Sequence, residues 1–310
     1  MTALRKRRVI LAKIETTHGT DINPVKASDA ILCRMSSTID PQGEDVALNN
    51  ARTVAVPEGH VVAGAHIKLS IEVDLRGGDG ADTPPECDAL LQACGLEQTI
   101  ANTVSVTYSP YSDLADHKSC TIYWYEDGRL HKALGCRGNV SLQASNQQIG
   151  SLTFAMSGLW VDAADESLPS PTILELTPPV VQGGTFTIAG DDRAITSFSL
   201  DFQNEVVQKG DVNEAEGIAS FEIVGRKTSG SIDPEDIALN SLNPWSDWKN
   251  GTTKALVLEI GSDAGNTITV NIPDALYQRP SYSDRNGIRT YSLNFVCIGD
   301  ADDEATIVFT

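Results

Sequence analysis

His66-Ile67-Lys68-Leu69-Ser70-Ile71-Glu72-Val73-Asp74-Leu75 alternates without a break. Ile67, Leu69, Ile71, Val73 and Leu75 fall on one side of an extended chain, and Lys68, Ser70, Glu72 and Asp74 on the other. An extended backbone repeats its side-chain direction every two residues, so this segment predicts a strand with one buried and one wet face. Gly77-Gly78-Asp79-Gly80 then breaks the pattern and predicts a flexible turn. Pro84-Pro85 at the start and Gly95 at the end bracket one short helix around Ala89-Leu90-Leu91.

The same reading extends outward. Strands are expected at Ala30–Met35, Arg52–Val56, Val104–Tyr108, Cys120–Tyr125, Leu130–Leu134, Asn139–Ala144 and Ser151–Trp160. Asp127-Gly128 supplies a hairpin turn. Pro169, Pro171, Pro178 and Pro179 mark a linker over 168–180. Strands follow at Ala194–Phe202, Ala219–Val224, Ala255–Ile260, Thr267–Ile272, Arg289–Ile298 and Ala305–Phe309. Residues 1–30 read as an irregular, extended N-terminal arm. The chain is mainly β, with a first domain over 31–167 and a second over 181–310, each with one short helix.

The two domains read as a repeat. Ser70-Ile71-Glu72-Val73 answers Ser220-Phe221-Glu222-Ile223, and Pro85-Glu86 with Ala89-Leu90 answers Pro234-Glu235 with Ala238-Leu239. Ser151-Leu152-Thr153-Phe154 answers Ser292-Leu293-Asn294-Phe295, and Asp162 to Glu166 answers Asp300 to Glu304. The offsets shrink in order, 150, 149, 141 and 138, as length changes in loops require.

Charge and composition narrow the function. The net charge of −19 gives no clustered Lys and Arg to neutralise phosphates, which argues against a nucleic-acid grip. No stretch approaches the ~18 apolar residues of a membrane span, and Val9 to Ala12 is too short for a signal peptide. The chain is therefore expected in the cytoplasm where it is made, with its six cysteines as free thiols. His18, His60, His66, His117 and His131 have no metal-ligand spacing, and no nucleophile elbow or phosphate loop occurs. No catalytic site, cofactor or metal is expected. Trp245-Ser246-Asp247-Trp248 is the one candidate for stacking a sugar, with core or interface packing the alternative.

Two stretches resemble a known family. Glu15-Thr16-Thr17-His18-Gly19-Thr20-Asp21, with Pro24 and Ala30-Ile31-Leu32, is similar to the opening of the major tail tube proteins of long-tailed, non-contractile bacteriophages. Leu75-Arg76-Gly77-Gly78 through Pro84-Pro85 to Ala89-Leu90-Leu91-Gln92-Ala93-Cys94-Gly95 is similar to their loop and helix. The resemblance implies tandem β-sandwich or split-barrel tube domains whose inner sheets join around a lumen. It implies a virion tail component made in the host bacterium, with stacked rings, a tail terminator, a tape measure and distal tail proteins as partners. Double-stranded DNA would pass without specific binding. A single tube domain closes rings of six, so a doubled chain implies trimers with pseudo-sixfold symmetry. The alternative is a hexamer with the second half as an outer decoration.

Glu72 and Asp74 are then the candidate lumen-facing acids, with Glu222 as the repeat counterpart of Glu72. Glu15, Thr17, His18, Gly19 and Asp21 are candidates for an arm that reaches the next ring. A tube of an injection or secretion system, and an adhesive or carbohydrate-binding β-sandwich, are the competing readings.

Overall fold

Regular structure starts well inside the segment expected to be an arm. The computed structural model describes residues 6–54, 56–113 and 117–310. Arg8–Ile14 forms strand β1, with Ile10 and Leu11 fully buried. The short run Val9 to Ala12 is thus a core strand. Residues 1–5 of the expected arm lie outside the described residues.

The first half continues with β2 (Ala30–Ile31), β3 (Thr38–Ala47), β4 (His60–Asp74) and α1 (Asp88–Ala93). It goes on through β5 (Leu96–Ala101), β6 (Ser105–Pro110), β7 (Cys120–Glu126), β8 (Arg129–Ser145), β9 (Ser151–Trp160) and β10 (Ala164–Asp165). The second half holds β11 (Thr185–Ile188), β12 (Asp191–Asp192), β13 (Ser197–Asp201), β14 (Glu205–Gly210), β15 (Ile218–Gly225) and β16 (Ser229–Ile232). Then come α2 (Pro244–Asn250), β17 (Thr253–Ile260), β18 (Ile268–Tyr277), β19 (Ser281–Arg285), β20 (Ile288–Ile298) and β21 (Thr306–Phe309).

The chain is mainly β with two short helices among the described residues. Two expected strands, Leu130–Leu134 and Asn139–Ala144, are one 17-residue strand. The strand expected at Arg52–Val56 does not form, and Ala55 within it lies outside the described residues.

Strand pairing in the first half runs β3–β4–β9–β8–β7–β1–β2, antiparallel throughout. In the second half it runs β13–β16–β20–β18–β17–β11–β12, again antiparallel. Position by position these are the same order. β10 pairs with β8 as β21 pairs with β18, and each helix precedes the strand at the same place, β7 or β17.

The pairing also resets the sequence register. Phe154 faces Ile71, whereas Phe295 faces Gly230, and Leu152 faces Val73 as Leu293 faces Ile232. The segment equivalent to Ser70–Val73 is therefore Ser229–Ile232, 159 residues on, and not Ser220–Ile223. Pro85 matches Pro244 at that same separation, and Pro244 opens α2. Pro234-Glu235 and Ala238-Leu239 lie before it and outside any helix, with Glu235 bridged to Thr290. The reason is an interruption: β13–β14 and β15–β16 together make the long hairpin that β3 and β4 make without a break.

The halves are joined at β8. Its first part pairs with β7 and its last five residues, Ser141 to Ser145, pair with β13. A bulge between Leu134 and Arg137 bends the strand where its pairing with β7 ends, ahead of its pairing with β13. The outcome is one sheet in the order β3–β4–β9–β8–β13–β16–β20–β18. Ile67, Leu69, Ile71, Phe154, Leu142, Phe198, Leu200 and Phe295 all point to one shared core. Burying each such side chain contributes about 1.5–3 kcal/mol, which fixes the register of every strand in the sheet.

Candidate functional site

Opposite the core, this sheet presents an open face. Directly opposed residues form a row across it: Asp74, Ser151, Gln143, Ser199, Ser231 and Asn294. The parallel row holds Glu72, Thr153, Ser141, Asp201 and Ser229. The hydroxyls of Ser199 and Ser231 are 2.7 Å apart, and Asn139 donates to Asp201 at 2.7 Å. The surface is a field of hydroxyls and amides that also carries Glu72, Asp74, Asp201 and, further along β4, the exposed Lys68. Sequence reasoning singled out its acids and passed over its serines. The signal was present in Val140-Ser141-Leu142-Gln143-Ala144-Ser145, whose polar positions alternate with core positions.

Glu72 and Asp74 do lie on this face, at the β4 end. Arg34 spans both, at 2.6 Å to each carboxylate. The Ser36 hydroxyl, against a smaller effect of burial, and then Arg34 hold the Glu72 carboxyl below its ordinary value. Their charge is therefore partly neutralised. Glu222 does not join them. It sits on β15, outside this sheet, paired with the buried Arg137 of β8. Arg137 also donates to the carbonyls of Phe221 (3.0 Å) and His117 (2.7 Å). Glu222 thus helps fasten the β14–β15 ribbon to the first half, and Ser231 occupies the place equivalent to Glu72.

Of the five arm candidates Glu15, His18 and Asp21 are fixed to the body, Gly19 is tied to Glu15, and Thr17 is exposed in the turn between them. The buried Glu15 carboxylate accepts four hydrogen bonds, from Ser119 Oγ (2.7 Å), Thr121 Oγ1 (2.8 Å), Gly135 N (2.7 Å) and Gly19 N (2.8 Å). Gly19 has φ +71°, the left-handed conformation that brings its amide to Glu15. The Thr17 carbonyl accepts from Thr20 in the same turn. His18 bonds Ser119 at 3.0 Å. Asp21 accepts from Tyr123 and from Lys132, at 2.9 Å from the latter. The loop after β1 is a plug against β7 and β8.

Burial, and then the nearby Arg137 guanidinium, hold the His18 imidazole below its ordinary value of 6.5. The unfolded chain therefore binds this proton more tightly. Stability is complete above about pH 6.5 and falls as the pH drops below it. His18→Asn is expected to remove part of the stability lost between about pH 7 and about pH 5. Urea unfolding midpoints read this directly. An unchanged pH slope would contradict it.

The family model described as phage tail tube protein matches residues 6–297, nearly the whole chain. The chain belongs to the phage tail tube protein family. No curated protein matches it in sequence.

Elsewhere this tail tube protein offers little chemistry. Among the described residues no group of three or more His, Cys, Asp or Glu is placed to hold a metal ion. A cleft of 660 Å³ lies between the halves, and the half-buried Arg226 that lines it is bound by Asp302 and Glu304. The six cysteines are unbridged, and burial pushes the Cys87 thiol up to about 12. Trp245 packs against Tyr282 and Tyr291 at 5.4 and 6.5 Å, so this ring is committed to internal packing. No helix among the described residues is long and apolar enough to cross a membrane.

Proposed function

We propose that this chain is a ring-forming subunit of a phage tail tube, that three copies close each ring, and that rings stack into a hollow tube for the genome. The observation that carries this reading is the repeated pairing order, which makes each chain two tube units laid side by side in one sheet. Three chains then supply six units with pseudo-sixfold symmetry. A sheet running unbroken through both halves favours this over a hexamer in which the second half is an outer decoration.

The open face of the sheet is the lumen wall. Hydroxyls, amides and carboxylates outnumber its cations, the exposed Lys68 and the Arg34 already held by Glu72 and Asp74, so little is left to hold a phosphate and DNA slides past. Glu72 and Asp74 stand on that wall with Arg34 beside them, and Glu222 lies off it. The remaining negative charge keeps the outer surface soluble before assembly. The tail terminator, tape measure and distal tail proteins meet the ends and the bore of the tube.

Negative-stain electron microscopy of the purified protein tests this. Rings or hollow tubes of uniform diameter, with threefold averages at full chain mass, are expected. Dispersed monomers at high concentration would sink the tube reading, and true sixfold averages would sink the trimer.

A further inference from the structure

Each end of the continuous sheet has a free edge, and the two are not alike. At one end β3 pairs, among the described residues, with β4 alone. At the other, β18 and β19 run on as one long strand along β20, through Gln278 and a kink at Arg279-Pro280. Inside the chain, the equivalents of these two edges already meet. β8 is the counterpart of β18–β19 and β13 the counterpart of β3, and they pair from Ser141–Asp201 to Ser145–Ser197.

We propose that the β3 edge of one copy pairs with the β18–β19 edge of the next, repeating between chains the β8–β13 joint found within each chain. This rests on the ring reading above and gives that ring its seam. The register follows from residues already matched. Ser70 faces Thr38 as Ser229 faces Asp201, so Thr38 stands for Asp201. Thr153 faces Ser141, and Asn294 accepts from Gln278, so Gln278 stands for Ser141. Ser141 faces Asp201 within the chain, so Gln278 faces Thr38 of the next copy. One step along, the Phe202 amide donates to the Val140 carbonyl at 3.2 Å. Its equivalent is the Ile39 amide of the next copy donating to the Tyr277 carbonyl.

The ribbons give a second, independent reason. β14–β15 lies across β8 and β9 of the first half, and its Phe221 and Ile223 are each only 4 % exposed. Among the described residues the corresponding outer part of the β3–β4 hairpin has no comparable packing against another strand. Its Val61 and Val62 are 57 % and 54 % exposed, and Val46 and Leu48 are exposed as well. A two-stranded ribbon with apolar residues bare on both sides is marginal in water. The matching surface on the second half is the end of β20, where Ile298 stands for Ser157 and is exposed. One docking step covers both sets.

Thr38 and Gln278 are exposed, and Ser141–Asp201 is a pair without mutual backbone hydrogen bonds, the closer kind. Its Cα separation of about 4.5 Å is within disulfide reach. In a Cys33→Ser background, Thr38→Cys with Gln278→Cys should oxidise into covalent dimers and trimers, at least about tenfold faster than Asp40→Cys with Gln278→Cys. The Asp40 control is two residues out of register on the same face. Electron microscopy of the same samples separates the two ideas. Tubes with the expected cross-link support the seam. Tubes without it, or with the Asp40 pair equally fast, overturn the seam and leave the ring. Neither tubes nor cross-links overturn both.

Discussion

Deletion of residues 1–30 is expected to unfold the first half rather than leave a domain pair lacking an arm. β1 is hydrogen-bonded on both sides, to β2 and along its whole length to β7. Ile10 and Leu11 are at most 2 % exposed. Truncating one such side chain costs about 2–5 kcal/mol, and a domain has only about 5–15 kcal/mol in total. The deletion removes both, uncovers an edge of β7, and leaves Ser119, Thr121 and the Gly135 amide without the Glu15 carboxylate. Circular dichroism should show lost cooperativity, and the product should aggregate. Glu15→Ala is the point version. With hydrogen bonds to a charged group worth about 1.5–3 kcal/mol each, it should lower stability by about 3 kcal/mol. A deletion variant that melts like the parent would refute the plug assignment.

The second large effect is expected at Gly77. A Cβ there would sit 1.9 Å from the Gly265 carbonyl oxygen, in the turn between β17 and β18. The Gly77 amide donates to Asn266 Oδ1 at 3.0 Å, and Asn266 Nδ2 reaches the Thr177 carbonyl at 2.9 Å. Backbone meets backbone where the halves cross, and no rotamer change can relieve the clash. Gly77→Ala should cost about 3 kcal/mol or more, at the upper end for overpacking. Gly59→Ala, with open space around it, should stay within about 0.5 kcal/mol. Urea denaturation of the two variants decides. Equal midpoints would mean that this crossing yields more easily than its geometry implies.

Gly77 also shows where sequence reading stopped. Gly77-Gly78-Asp79-Gly80 reads locally as a flexible turn, and only the presence of Gly265 on its far side makes Gly77 a packing residue. β3 was invisible for a related reason. Its Thr38-Ile39-Asp40-Pro41-Gln42-Gly43 carries Pro, Gly and charge, because it is an edge strand with little buried surface to impose a pattern. β1 was missed because three buried residues look the same in a short strand as in any apolar run. The free-arm reading of Glu15, His18 and Asp21 failed because their partners, Ser119, Tyr123 and Lys132, are about a hundred residues away in sequence.

The alternation of His66–Leu75 determined, by itself, a strand with one wet face. Similar patterns down the chain determined a β-rich fold with short helices, and ordered motifs pointed to the tail tube family. Periodicity is local, so it survives in the sequence. Which strands lie side by side is not local. The pairing β3–β4–β9–β8 and its echo β13–β16–β20–β18, the 159-residue register, the serine-rich face and the two free edges were decided only in three dimensions. A shift of nine residues between two similar β-segments changes little in sequence, yet it moves the counterpart of Glu72 from Glu222 to Ser231. Hydrogen-bonded neighbours set that register.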